Sequence, residues 1–200
     1  LRTDERVKAL VLTGAGKGFC SGGSVEEIIG PLFKRDLDGT LAFTRMTGAV
    51  VRNMLRLDKP IVAAINGVAA GGGVGIALSG DIVIAGESAK FKLVFARQLG
   101  IISDLGSSWM LPNLVGRARA NGLALLGDDL SAEKAAAWGL IWEVLPDNKL
   151  METATAYAER LADGAITGIK ASVRAHDQAH LQSLDCLLYT SPSPRDNRVS

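Results

Sequence analysis

The chain has 200 residues, 48% of them hydrophobic and 22% charged, and its 22 basic and 21 acidic side chains leave a formal charge of +1. That length suffices for one domain burying about 70% of its surface, and the composition excludes a disordered, collagen-like or small disulfide-stapled protein. The charge balance gives no basic face for phosphates, which excludes nucleic-acid binding as the main function.

The chain opens on Leu1 and by Val7–Leu12 is already in a strand pattern, so upstream sequence is expected to be missing. A Gly-rich stretch, Thr13–Gly23, follows. Ser24-Val-Glu-Glu27 reads as a capping box opening a helix from about Val25, and a second helical pattern covers about Leu41–Leu57. Ile61–Ile65 is a second strand. From Pro60 to Gly80 there is no charged residue, a length that could span a bilayer, but Asn66-Gly67, Gly71-Gly72-Gly73 and Gly75 divide it into strand, turn, loop and a helix from about Gly72. No membrane association is expected. Ile82–Ala85 is a third strand, and this alternation predicts an α/β domain with buried, largely parallel strands.

Downstream the pattern turns helical over Arg117–Leu126, Ser131–Trp138, Lys149–Ala162 and about Ile169–Leu184, with a short strand Leu140–Val144. Ser131 is placed to N-cap its helix, and Gly139 to supply the positive φ that ends it. Cys186–Asp196 can be encoded codon for codon by a common transposon-type sequencing adapter, with Asn197–Ser200 as index sequence. Residues 186–200 therefore read as a foreign tail. Without them Cys20 is the only cysteine, which excludes an intramolecular disulfide and predicts a reducing, cytoplasmic setting. His176 and His180 have i, i+4 spacing but no third ligand, so no metal site is expected.

The first Gly-rich stretch is not a phosphate loop. Lys17 is followed by Gly18 where a P-loop needs Ser or Thr, and Phe19 stands where a dinucleotide fingerprint or a serine-hydrolase elbow needs glycine. What remains is two strands, each followed by a Gly-rich turn into a helix: Phe19-Cys-Ser-Gly-Gly-Ser24 and Asn66–Gly75. Such turns leave backbone N–H groups free at helix starts, and two of them aimed at one point make an oxyanion hole. The same glycines also suit close strand-to-helix packing without any site.

Phe19-Cys-Ser-Gly-Gly23, Lys59-Pro-Ile-Val-Ala-Ala-Ile-Asn-Gly-Val-Ala-Ala-Gly-Gly-Gly73, Gly80-Asp-Ile-Val-Ile-Ala85 and Leu130-Ser-Ala-Glu-Lys-Ala-Ala-Ala-Trp-Gly-Leu140 together resemble the enoyl-CoA hydratase/isomerase (crotonase) superfamily, over about Val7–Asp185. The resemblance implies a crotonase-like (ClpP/crotonase) α/β spiral core of ββα units over about 1–115 and a helical region over about 116–185, truncated at both ends. It implies an acyl-CoA thioester substrate, with coenzyme A as part of the substrate and no separate cofactor, and a homotrimer or homohexamer. By position, the N–H groups of Ser21 and Gly72 would hold the thioester oxygen of an enolate, and Phe19, Gly22, Gly71, Gly75, Phe95 and Trp109 would contact substrate.

Hydratases of this superfamily use two glutamates, whose positions are here Gly75 and Phe95. Neither residue can transfer a proton. Asp104, flanked by Ile101, Ile102 and Trp109, supplies a carboxylate instead, in Asp104-Leu-Gly-Ser-Ser-Trp109. Read locally it is a helix N-cap. In context it resembles the Asp-x-Gly-Gly-Thr-Trp pattern of ring-opening 1,2-epoxyphenylacetyl-CoA isomerases in phenylacetate catabolism, which implies an isomerase with Asp104 as the single catalytic base. Hydratase or lyase chemistry, a dehalogenase with Asp104 as nucleophile, and a non-catalytic acyl-CoA-binding homologue are the alternatives.

Overall fold

In the computed structural model, which describes residues 2–179, 181 and 182, strands come in consecutive pairs. They are Leu10–Thr13 (β1) with Gly18–Cys20 (β2), Ile61–Ile65 (β3) with Val68–Ala70 (β4), and Ile82–Gly86 (β5) with Lys90–Lys92 (β6). The first member of each pair enters one sheet and the second member another. Leu130–Ser131 (β7) and Glu143–Leu145 (β8) complete them, giving the orders β1-β3-β5-β8 and β2-β4-β6-β7. All pairings are parallel except the one between β6 and β7. Gly30–Leu32 (α1) and Leu37–Leu55 (α2) follow the first strand pair, Gly72–Leu78 (α3) the second, and Ser107–Leu126 (α4) the third. This is the expected spiral of ββα units. Ala132–Ala137 (α5), Leu150–Ala162 (α6) and Ile166–Gln178 (α7) form the later helical part.

The apolar runs became central strands because both of their faces are covered. Every residue of β3 is buried. Successive side chains of a strand point to opposite faces. Accordingly, Ala63 and Ile65 join Val83, Ala85 and Met110 in the large core, while Val62, Ala64 and Ile84 pack on Leu150 and Ala154 of α6. Leu150, Ala154, Tyr157, Ala158 and Leu161 recur at helical spacing, so α6 presents one apolar stripe to that face.

A buried ion pair closes the far end of the sheet. Lys170 of α7 has a side chain only 1% exposed, and its Nζ lies 2.7 Å from Asp81 Oδ1. Asp81 Oδ2 accepts the Ile61 N–H at 2.7 Å, so one carboxylate ties α7 to the starts of β3 and β5.

Several local expectations need correction. The helix expected from Val25 is instead a wide π turn, Val25–Ile29, followed by the single turn of α1, which Pro31 enters near its start. The Ser24 hydroxyl does accept the Glu27 N–H at 3.1 Å. Both Gly-rich stretches hold a short strand, β2 and β4, before any helix. Helix α4 begins ten residues before Arg117 and is interrupted at Gly116, whose φ of 77° and ψ of 159° are not helical, so the expected Arg117–Leu126 is its second segment. The strand expected at Leu140–Val144 is displaced to β8. Ser131 accepts the Lys134 N–H, and Gly139 has φ +80°, as their positions required. Residues 186–200 and His180 lie outside the described residues.

Lys170→Ala leaves the Asp81 carboxylate buried without its cation, and is expected to cost about 3–5 kcal/mol of stability. Chemical denaturation measures this; an unchanged midpoint would show that the pair does not hold α7 to the sheet.

Candidate active site

The site is assembled where backbones approach too closely for side chains. Asn66, in the turn between β3 and β4, accepts the Gly14 N–H at 3.0 Å and donates to the Gly16 carbonyl at 2.9 Å. These bonds pin the β1–β2 connection beside the β3–β4 turn. A Cβ on Gly14 would meet the Gly18 carbonyl oxygen at 2.1 Å, and one on Gly67 the Lys17 carbonyl oxygen at 2.2 Å. Only glycine fits at either position.

From there β2 and β4 run side by side into their turns. The Gly71 N–H donates to the Lys92 carbonyl at 2.9 Å and is thereby occupied by β6. The next amide, Gly72, begins α3. Among the described residues neither the Gly72 nor the Ser21 amide donates a turn, loop or cap hydrogen bond. Their segments are close, since a Cβ on Gly22 would lie 3.3 Å from the Gly72 nitrogen, and one on Gly73 would lie 2.1 Å from the Cys20 carbonyl oxygen. Ser21 is exposed and Gly72 buried, so this crevice opens to solvent on the Ser21 side.

Asp104 is linked to the start of α3 through its neighbour. Leu105 has φ +51°, the one positive φ outside glycine among the described residues, a conformation costing a leucine about 1–2 kcal/mol. The resulting turn lays Leu105 across the start of α3. Its Cδ1 lies 2.3 Å from where a Gly72 Cβ would be, and its carbonyl oxygen 2.1 Å from where a Gly75 Cβ would be. The Asp104 carboxylate is half-buried. Oδ1 accepts the Leu105 N–H at 2.6 Å, and Oδ2 is 3.4 Å from Thr47 Oγ1 on α2.

The N-cap reading of Asp104 fails. Gly106 caps α4 with no side-chain hydrogen bond, and it is the Asp104 carbonyl, not its carboxylate, that accepts the Ser107 N–H. Nor is Asp104 enclosed by its apolar neighbours, because Ile102 is 82% exposed and Trp109 42% exposed.

The other expected contact residues divide. Gly22, Gly71 and Gly75 lie at the crevice or directly behind it. Phe95 is buried with its Cζ 3.9 Å from the Cβ position of Gly71, backing the start of α3, and Phe19 packs into the large core. Trp109 lines a groove with Leu55, Val173 and His176. Gly75 contacts Leu105, so the space beside it is filled by protein. Leu105 and Thr47 were not foreseen: no pattern marks a leucine as left-handed, and Thr47 is 57 residues from Asp104 in sequence.

Two sheets fed by ββα units, with close-packed glycines at the start of α3 and the Asp104–Gly106 turn laid against them, define the fold and its candidate site. The chain belongs to the enoyl-CoA hydratase/isomerase family, whose match covers residues 1–185. It is 43% identical over 192 residues to the 1,2-epoxyphenylacetyl-CoA isomerase of Escherichia coli strain K12, spanning 92% of this chain and 70% of that one. It is 37% identical over 174 residues to a Rhodobacter capsulatus protein named "Probable enoyl-CoA hydratase", spanning 87% of this chain and 66% of that one. The solved structure of an enoyl-CoA hydratase from Bacillus anthracis superposes with a TM-score of 0.84 at 31% identity, covering 94% of this chain and 71% of that one. Among the described residues no helix is long and apolar enough to cross a membrane.

Gly75→Ala would force its methyl group into the Leu105 carbonyl, with an expected cost of about 1–3 kcal/mol from overpacking and displacement of the turn that carries Asp104. A thermal melt checks this, and a melting temperature equal to wild type would show that the turn yields freely.

Proposed function

We propose that this chain is an acyl-CoA isomerase that shifts a double bond or opens an epoxide in a CoA thioester. In this reading the Ser21 and Gly72 amides bind the thioester oxygen, and Asp104 takes a proton from a carbon in conjugation with the carbonyl. The electron pair of the broken C–H bond moves onto the oxygen as an enolate, held by the two N–H donors. The same carboxyl group then returns the proton to another carbon of the conjugated chain, restoring the carbonyl. One base serves both steps, and no cofactor is needed beyond the coenzyme A of the substrate.

The observation that carries this reading is the arrangement of the Asp104–Gly106 turn. It fastens the Asp104 carboxylate to the amide of the residue that packs on Gly72, while its Leu105 carbonyl fills the space next to Gly75. Hydration by this superfamily's two-glutamate scheme would need side chains at Gly75 and Phe95 that can hold and split water. Phe95 is buried and apolar, and Gly75 has no room for one. The similarity to the Escherichia coli isomerase supports the same choice, and the hydratase names of other relatives keep hydration as the reaction to test against.

A homotrimer or homohexamer in the cytoplasm completes the reading. Supporting assembly, Trp142 is 70% exposed and lines an apolar groove with Leu114, Leu140 and Ile141, a surface of the kind subunits cover.

The test is an assay of the full-length protein with 3-enoyl-, 2-enoyl- and epoxyphenylacetyl-CoA. Asp104→Asn keeps the size of the side chain but removes the base, so isomerisation is expected to fall about 10²- to 10⁴-fold with KM little changed. Near-wild-type isomerisation by that variant would overturn the mechanism, and hydration at rates matching isomerisation would overturn the choice of reaction.

A further inference from the structure

The isobutyl group of Leu105 rests on Gly72, and nothing in the catalytic scheme uses it. A purely structural filler at this turn would be glycine or asparagine, which adopt a positive φ at little cost. Leucine is held here against its backbone preference, and strain of this kind is retained where the surroundings impose a particular placement. Two parts of the residue do two jobs. Its carbonyl closes the space at Gly75, whereas its Cδ1 occupies the place of a Gly72 side chain.

We propose that Leu105 is a specificity-determining residue that confines this site to acyl-CoA thioesters unbranched at the carbon next to the thioester carbonyl. The inference rests on the oxyanion role proposed for Gly72. A thioester oxygen accepting from that amide lies about 2.9 Å from the nitrogen, and the adjacent carbon follows one C=O and one C–C bond later, about 1.2 and 1.5 Å further along. That carbon therefore lies within about 6 Å of the Gly72 nitrogen, in reach of Leu105 Cδ1, which packs where a Gly72 Cβ would stand. A hydrogen fits between them, and a methyl branch meets the isobutyl group. The same wall holds the carbon on the side of Asp104, whose Oδ1 is fastened to the Leu105 amide.

The experiment compares kcat/KM for 2-methyl-branched and unbranched enoyl-CoA of equal chain length, in full-length wild type, Leu105→Gly and Leu105→Met. Glycine keeps the left-handed turn and removes the wall, so the branched-to-unbranched ratio is expected to rise about tenfold or more. Methionine is expected to restore a ratio near that of wild type. A merely structural role would lower both activities together and leave the ratio where it was. Should Leu105→Gly not fold, Leu105→Asn carries the same measurement, because asparagine also tolerates the left-handed backbone. The ratio is read on whichever reaction the wild type performs, isomerisation or hydration, so it stands apart from the Asp104→Asn result. A folded Leu105→Gly or Leu105→Asn whose ratio stays within about twofold of wild type overturns the proposal, since removing a contacting methyl group is worth more than that.

Discussion

Everything near the site depends on the absence of side chains along one face of α3. Cys20 lays its carbonyl against Gly73, Leu105 lays its side chain against Gly72 and its carbonyl against Gly75, and Gly22 lies beside the Gly72 nitrogen. A single Cβ at Gly73 or Gly75 would stand 2.1 Å from a carbonyl oxygen, far inside van der Waals contact. The Ser21 and Gly72 amides consequently sit on two segments that brace one another, with the Leu105 turn packed on α3 as a third. A site built from amides needs that bracing, because a peptide N–H has no rotamer with which to correct its aim. Much of the positional precision comes from the strands behind it, where β3 and β5 are buried on both faces and the Asn66 side chain fixes one loop against the next.

How far the sequence disclosed this followed from how each element is stabilised. Ile61–Ile65 was legible to the residue because a strand covered on both faces must be apolar throughout. The N-cap at Ser131 and the positive φ at Gly139 were legible because local chemistry dictates them. The three-residue strands β2, β4 and β6 were not. Each is held by pairing with a neighbour distant in sequence, and in β2 and β4 small residues serve close approach, erasing any alternation. The π turn at Val25–Ile29 was also hidden, since the same Ser24 cap that opens an α-helix opens it too.

The candidate site divides in the same way. Glycines and a carboxylate could be singled out by type, and the two places without a glutamate could be noticed by position. What the sequence lacked was the reason for Gly75. It reads as a lost acid/base residue, but the structure gives it a second meaning, as the surface on which the Asp104–Gly106 turn lies. That meaning depends on the backbone of Leu105, and no composition or spacing marks a leucine as left-handed.

Residue 75 and the turn at 104–106 therefore form one unit with two incompatible states. With glycine at 75 the turn can close onto α3, bringing a carboxylate along with it. With any larger side chain there, the Leu105 carbonyl must withdraw, and Asp104 must move too, because its Oδ1 is bound to the Leu105 amide. A side chain at position 75 of α3 and the Leu105 carbonyl thus compete for one volume. A glutamate at position 75 would not join the present arrangement but would displace the turn that carries Asp104. Under the isomerase proposal, the choice of reaction is on that account a packing decision as much as an electrostatic one, taken where a carbonyl oxygen meets a glycine Cα.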